Sequence, residues 1–274
     1  MSLLRGALAA ALLLVAGPAL AEGVDETASQ LLERAFSNLY ADDYIQTLEL
    51  STRGEGMRPL TRKLQITRKQ SVRPGKALVR FLEPFDIRRT SVLILENDRA
   101  ADDLYVYLPA LDLTRRVSAA QRADSFFGTD LSYEDIEPKR AADYEVSRIV
   151  ADGDAEGCVR LELRAAESFE STYERMVSCI ETERAIIRWS EFFRHGRPVK
   201  RLEIDRAAVE PIGSRFIPFL MTIRTLRTGS ETQVRTLAYE LTAEISDRLF
   251  STWNLAAGDA DRDRSRVEPL KATE

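Results

Sequence analysis

The stretch Ser125-Phe126-Phe127-Gly128-Thr129-Asp130-Leu131-Ser132-Tyr133-Glu134-Asp135-Ile136, SFFGTDLSYEDI, sets two adjacent aromatics beside a glycine and follows them with three acids. Two readings compete. Asp130, Glu134 and Asp135 have the chemistry to ligate calcium, which takes carboxylates readily. Alternatively the stretch is a structural corner. Gly128 permits a sharp turn, Thr129 or Asp130 accepts a backbone N–H as a helix cap, and Ser132-x-x-Asp135 has the form of a capping box. Acids at the start of a helical turn are favoured by its dipole, and Pro138 then stops the turn. The capping reading is preferred, so no metal is expected here. The phenylalanines need their own explanation. Phe126 and Phe127 cannot easily share one side of an extended segment, so one is expected on a sheet and the other toward a cavity or a partner.

Upstream and downstream of this corner the sequence alternates with the period of a β-strand. Candidate strands cover 44–53, 60–70, 76–83, 90–96, 103–108, 111–118, 143–151, 157–165, 172–181, 186–194, 198–206, 215–227 and 232–243. Turn signals separate them: Arg73-Pro74-Gly75, Asn97-Asp98, Asp152-Gly153-Asp154, His195-Gly196-Arg197-Pro198 and Thr228-Gly229-Ser230. Short turns between closely spaced strands imply a continuous antiparallel meander, as a barrel or a sandwich. Before the first strand, residues 24–40 carry Ala28, Leu31, Leu32, Ala35, Phe36 and Leu39 at helical spacing, with acids in the expected first turn.

Two strands do not alternate cleanly. Thr90 to Leu95 and Leu104-Tyr105-Val106-Tyr107-Leu108 are apolar or aromatic on both faces, whereas an antiparallel strand with one solvated face should alternate. Either the N-terminal helix and a loop cover both faces, or one face lines an apolar cavity.

The ends carry signals of another kind. MSLLRGALAAALLLVAGPALA has a positive n-region at Arg5, an apolar run from Ala7 to Ala16, and the small-x-small site Ala19-Leu20-Ala21. Residues 1–21 therefore read as a cleaved secretory signal, with the mature chain starting at Glu22 and residues 22–257 forming the folded domain. The residue directly after the cut is Glu22 and not a cysteine, and no later run approaches the roughly twenty apolar residues of a membrane span. The expectation is a soluble exported protein. Residues 258–274, GDADRDRSRVEPLKATE, are charged and read as a disordered tail. A net charge of −5 argues against a nucleic-acid partner.

Signatures of chemistry are sparse. HExxH, CxxC, GxSxG and P-loop patterns are missing from the sequence. Gly54-Glu55-Gly56 lacks the third glycine of a dinucleotide fingerprint and reads as a hairpin turn. The single histidine, His195, sits in the turn RHGRP, a poor place for the oriented, buried imidazole of a catalytic triad. No catalytic residue and no cofactor are expected. Cys158 and Cys179 are the two cysteines, and in an oxidising compartment they are candidates for a disulfide. If 157–165 and 172–181 form a hairpin with Leu163 opposite Glu174, Cys158 falls opposite Cys179. Two buried free thiols are the alternative.

The run PFDIRRTSVLILENDRAADDLYVYLPALDLTRRVSAAQRADSFFGTDLSYEDI resembles the LolA-like outer-membrane lipoprotein-sorting family. The matching features are Pro84, the strand ending Tyr107-Leu108-Pro109, the pair Arg115-Arg116, and the corner from Ser125 to Asp135. The likeness is closest over about 84–137, and ISDRLFSTWNL resembles the family's closing segment. Members usually have a glycine near Arg89 and a tryptophan where Tyr105 stands. The resemblance implies a mainly β fold, an incomplete antiparallel barrel with an N-terminal helix and short helical lid segments. It also implies a periplasmic, non-enzymatic protein whose concave apolar face holds acyl chains of lipoproteins or lipids and moves them toward the outer membrane. Possible partners are an RND/MMPL-type inner-membrane exporter and, transiently, a membrane. Residues expected against the acyl chains are Phe81, Phe85, Ile94, Tyr105, Tyr107, Leu108, Phe126, Phe127 and Tyr133. The competing classes are a non-carrying adaptor of such an exporter and a hydrolase with an unrecognised site.

Overall fold

The computed structural model describes residues 26–257, apart from 57, 99–100, 150–156 and 243. The expected signal segment 1–21, the tail 258–274 and the turn Asp152-Gly153-Asp154 lie outside the described residues. The chain opens with helix α1 (Ala28–Tyr40). It starts later than the acids of 24–40, because Thr27 caps it: the Thr27 hydroxyl accepts from Gln30 N at 3.2 Å and the Gln30 side chain accepts from Thr27 N at 2.9 Å.

Six strands follow in a meander: β1 (Tyr44–Arg53), β2 (Leu60–Lys69), β3 (Lys76–Glu83), β4 (Ser91–Leu95), β5 (Asp103–Leu108) and β6 (Leu113–Arg116). A second meander contains β7 (Tyr144–Ile149), β8 (Val159–Ala165), β9 (Arg175–Glu181), β10 (Ile186–Arg194) and β11 (Arg197–Ile204). After a side hairpin of β12 (Val209–Ile212) and β13 (Arg215–Pro218), β14 (Leu220–Thr225) and β15 (Glu231–Leu241) complete the sheet. Its order is β6-β5-β4-β3-β2-β1-β15-β14-β11-β10-β9-β8-β7, antiparallel throughout. Strands β6 and β7, neighbours in sequence, form its two opposite edges. The result is the incomplete antiparallel barrel, curled round an apolar interior. The segment from Val117 to Asp143 therefore has to cross from one edge to the other.

Register explains the two-faced strands. Val79, Val92 and Val106 pair in one row and join the interior cluster with Ile94 and Leu104. Leu78, Leu93 and Tyr105 form the adjacent row and face outward. That outer face is covered by the C-terminal segment, where Ile245, Phe250 and Leu255 pack on Leu78, Leu93 and Tyr107. The segment ends in α2 (Thr252–Ala257). Lys69 and Lys76 hold it in place by reaching Asp247, each at 3.1 Å. The N-terminal helix does not cover these strands. Its buried face, Leu31, Leu32, Ala35 and Phe36, belongs instead to the cluster on β8–β11. The sequence signals a need for cover at β4 and β5, but local pattern cannot say which distant segment supplies it.

Two further expectations are corrected. The single strand over 215–227 divides into β13 and β14 at Phe219, whose N–H donates to Ala208 O at 2.7 Å, and β12 was not anticipated. In the β8–β9 hairpin Leu163 pairs with Met176 rather than Glu174, a shift of two residues that leaves every face unchanged. The loop is longer because Thr172 N is drawn aside to a carboxylate of the crossing segment. Cys179 consequently stands opposite Arg160, and Cys158, just before β8, meets it diagonally. The two are joined as a disulfide with Cα atoms 5.5 Å apart.

Peptide mapping without reductant should recover Cys158 and Cys179 as one linked species. Replacing both with serine should lower stability by about 3 kcal/mol in urea unfolding, the loop-closure value for a bridge spanning about twenty residues. Two freely alkylated thiols in exported material would contradict the bridge.

Candidate functional site

The crossing segment brings the opening stretch into the middle of the molecule. Ser125 and Ser132 form an isolated antiparallel bridge, and Phe126 N donates to Leu131 O at 2.8 Å. Between them the backbone reverses through Phe127 (φ 51°) and Gly128 (φ 82°). A left-handed phenylalanine is strained, and its ring contacts offset that cost. Phe127 packs edge-on against Phe81, Phe126 and Tyr133, with centroids 4.7, 5.1 and 6.2 Å away. At Gly128 a Cβ would come within 3.1 Å of Leu60 as well as meeting the φ penalty.

The three acids neither gather round one point nor cap in the expected way. Asp130 accepts three side-chain hydroxyls of the β14–β15 hairpin: Thr225 at 2.5 Å, Ser230 at 2.6 Å and Thr232 at 2.8 Å. The Thr232 hydroxyl also accepts from Asp130 N at 2.8 Å. Since its one proton is committed to Asp130, Thr52 must donate to it across the strand pair, at 2.8 Å. Glu134 is buried and accepts from the Ser171 hydroxyl at 2.5 Å and from Thr172 N at 2.8 Å. Asp135 accepts from Ser132 N at 2.7 Å, which is half of the expected box. It also accepts from Tyr173 at 3.0 Å and from the Lys200 ammonium. The helical turn itself is a short 3-10 turn, Glu134–Ile136, without a side-chain cap. Each acid thus fastens the crossing to a different part of the sheet. Arg122 and Glu137 add a buried two-pronged ion pair at its base.

Electrostatics follow the burial. The Asp135 carboxyl is opposed by desolvation, yet the Lys200 ammonium holds it below the usual aspartate range. Tyr173, buried beside that carboxylate, is pushed well above an ordinary phenol. Tyr40 and Tyr44 are raised to about 12 chiefly by burial, so they are neutral at physiological pH.

Between the crossing, α1 and the inner face of the sheet lies a cavity of about 230 Å³. Leu64, Val79 and Ile94 wall one half and Leu202, Ile223 and Val234 the other, with Phe36 and Leu39 of α1 and Phe126, Leu131 and Ile136 of the crossing closing it. Of the residues expected against acyl chains, Ile94 and Phe126 line this space. Phe81, Phe127 and Tyr133 pack behind them as an aromatic buttress, with Leu108 against the same cluster. Tyr105 and Tyr107 lie on the outer face under the C-terminal segment, and Phe85, 90 % exposed, sits on the tip of the β3–β4 turn. Phe126 lines the cavity and Phe127 does not, while both rings pack on Phe81 of β3. The positive φ of Phe127 folds the two rings onto each other, and Phe126 is core and cavity wall at once.

Sequence reasoning overlooked the polar part of the wall: Arg68, Lys139 and Lys200, with the hydroxyls of Ser178 and Ser190. A signal existed. Arg68 is in phase with inward Leu64 and Ile66, and Lys200 with Leu202 and Ile204, where an apolar residue would be the default.

A family model described as "Uncharacterized protein" matches residues 74–257. Among solved structures, a putative outer membrane lipoprotein-sorting protein domain from Vibrio parahaemolyticus superposes with a TM-score of 0.75 at 20 % identity, over 84 % of this chain and 98 % of that one. A DUF1329 family protein from Desulfovibrio piger gives 0.74 at 26 % identity, over 83 % and 97 %. A LolA superfamily protein from Nitrosomonas europaea gives 0.64 at 19 % identity, over 82 % and 98 %. A comparison with curated proteins finds no match.

Two outcomes test the role of the acids. Asp130→Ala should cost about 3 kcal/mol or more, since three hydroxyls lose a charged acceptor. Loss of a simple helix cap would cost only about 0.5–2 kcal/mol. Calcium and EDTA should leave the melting temperature unchanged. For Asp135, the folded carboxyl titrates below its unfolded value of about 3.9, so its contribution is complete above that pH and is lost as pH falls through the folded value. The stability difference between wild type and Asp135→Asn should be flat from about pH 5 to 8 and shrink below about pH 4.

Proposed function

The chain belongs to the family matched over residues 74–257 and is LolA-like, and from that premise we propose that it is a periplasmic carrier of lipoprotein or lipid acyl chains. The observation that carries this reading is the apolar cavity walled by both halves of one sheet and closed by α1 and the crossing segment. Moving an acyl chain through water requires cover worth about 0.8 kcal/mol for each buried methylene. It requires no bond to be made or broken, and the reading invokes no catalysis and no cofactor. Export follows from residues 1–21 acting as a cleaved signal, and the direction of travel is toward the outer membrane.

Contact with a membrane or with an RND-type exporter is supported by one end of the sheet. The turns β3–β4 and β5–β6 fall on the same side of the meander and expose Phe85, Leu111 and Leu113, among exposed Arg88, Arg89, Asp86 and Asp112. Apolar tips among charges of both signs suit a partly greasy, polar-rimmed surface such as a membrane interface or a protein partner. A carrier needs such a place to meet its donor and acceptor.

Mass spectrometry of extracts from the purified protein should find co-purifying lipid. Leu131→Trp, which fills the cavity from the half-buried crossing, should cost about 1–3 kcal/mol of stability, keep its circular dichroism spectrum, and lose that lipid. A wild type that never holds lipid and never binds an added acyl chain would overturn the carrier reading.

A further inference from the structure

We propose that the cavity is made for a lipid with a single anionic head, carboxylate or phosphate, seated between Lys139 and Lys200. This deepens the carrier reading of the same cavity and favours a free anionic lipid over a lipoprotein anchor, whose acylated end carries a peptide.

Charge accounting leads to it. The cavity wall contains Arg68, Lys139 and Lys200 against one carboxylate, Asp135. Arg68 is answered from behind by Glu96 at 2.5 Å, by Gln70 and by Tyr40 O. Lys200 is answered by Asp135 and donates to the Tyr173 oxygen at 2.9 Å. Lys139 differs. Its ammonium donates to the backbone oxygen of Glu134 at 2.5 Å, and among the described residues no carboxylate forms an ion pair with it. The Glu134 carboxylate is itself engaged by Ser171 and Thr172. Lys139 is near enough to help depress the Asp135 carboxyl, so two ammonium groups share one carboxylate beside an apolar space. Lys139 is half-buried, so its ammonium, without a carboxylate partner among the described residues, is open to an anionic group in the cavity. An anionic head offsets its charge, a neutral head does not, and a cationic head adds to it.

A second observation places the rest of such a ligand. Ser178 and Ser190 are both buried on the cavity wall, with hydroxyls 2.7 Å apart. Two hydroxyls carry two protons, and their mutual bond uses one. The other is available to an acceptor in the cavity. Strand register sets its position: Lys200, Phe192 and Met176 form one inward row, and Leu202, Ser190 and Ser178 the next. The free donor is therefore about 7 Å along the strands from the Lys200 row. That spacing suits an ester or amide oxygen below a head group, with hydrocarbon continuing between the apolar walls.

Calorimetric titration of the full chain, stripped of lipid, with chains of one length tests the head. Hexadecyl phosphate and hexadecanoate should bind about tenfold or more tightly than hexadecanol, and hexadecyltrimethylammonium more weakly than hexadecanol. Lys139→Met should remove the preference for the anionic heads over hexadecanol, and Lys139→Arg should restore it. Inorganic phosphate alone should neither bind nor compete. Phosphate binding as tight as that of the chains would make the site a free-anion site and overturn the lipid assignment. Equal binding of hexadecanoate and hexadecanol by wild type would overturn the head site and leave the carrier reading standing. Failure of every chain to bind would remove both.

Discussion

The chain must travel from the free edge at β6 to the free edge at β7, and the path lies across the open side of the sheet. Backbone and carboxylates entering an apolar interior need partners there, because an unpaired buried polar group costs more than its bond would contribute. Asp130, Glu134 and Asp135 meet that demand by taking hydroxyls, a backbone N–H and a lysine from segments far apart in sequence, and Glu137 by pairing with Arg122 of the crossing itself. One irregular segment is thereby tied at separate points to the β14–β15 hairpin, the β8–β9 loop and β11. The curl of the sheet and the existence of an enclosed space behind the crossing both depend on it.

Around that clasp the two faces of the sheet are treated differently. The outer face of β3–β5 is sealed by the C-terminal segment, pinned by Lys69 and Lys76 to Asp247. The inner face is left with volume that its side chains do not fill. Protein interiors are packed to crystal density, so an unfilled apolar space bounded by α1 and a loop is a structural provision rather than slack. Its wall is also chemically uneven, with aliphatic residues over most of the surface and lysines and serines at one region. On the proposed carrier reading, that unevenness sets the orientation of the cargo as well as its place.

The crossing also shows how an acid-rich motif misleads when it is read locally. Ser132 and Asp135 do exchange part of a capping box, yet half of the hydrogen bonds to Asp135, including its ion pair, come from Tyr173 and Lys200, which lie far along the chain. Asp130 looks like a cap in sequence and serves as the acceptor for a distant hairpin. Local rules describe what a side chain does when nothing better is within reach, and a buried crossing puts better partners within reach.

Strand alternation, helix spacing and turn residues determined the mainly β character, α1, and most strand limits, since the faces of each element are written at a period of two or 3.6 residues. The demand for double cover at β4 and β5 was equally legible, as was the special backbone at Gly128. What covers those strands was decided only by tertiary structure: the C-terminal segment outside, the cavity and crossing inside. The same holds for the site. Ile94 and Phe126 could be picked from their pattern, but Tyr107 and Phe85 have the same greasy chemistry and lie elsewhere. Period tells which residues share a face of a strand. Which face encloses the cavity depends on sheet order and curl, and those are set by contacts between residues a hundred positions apart, such as Asp130 with Ser230.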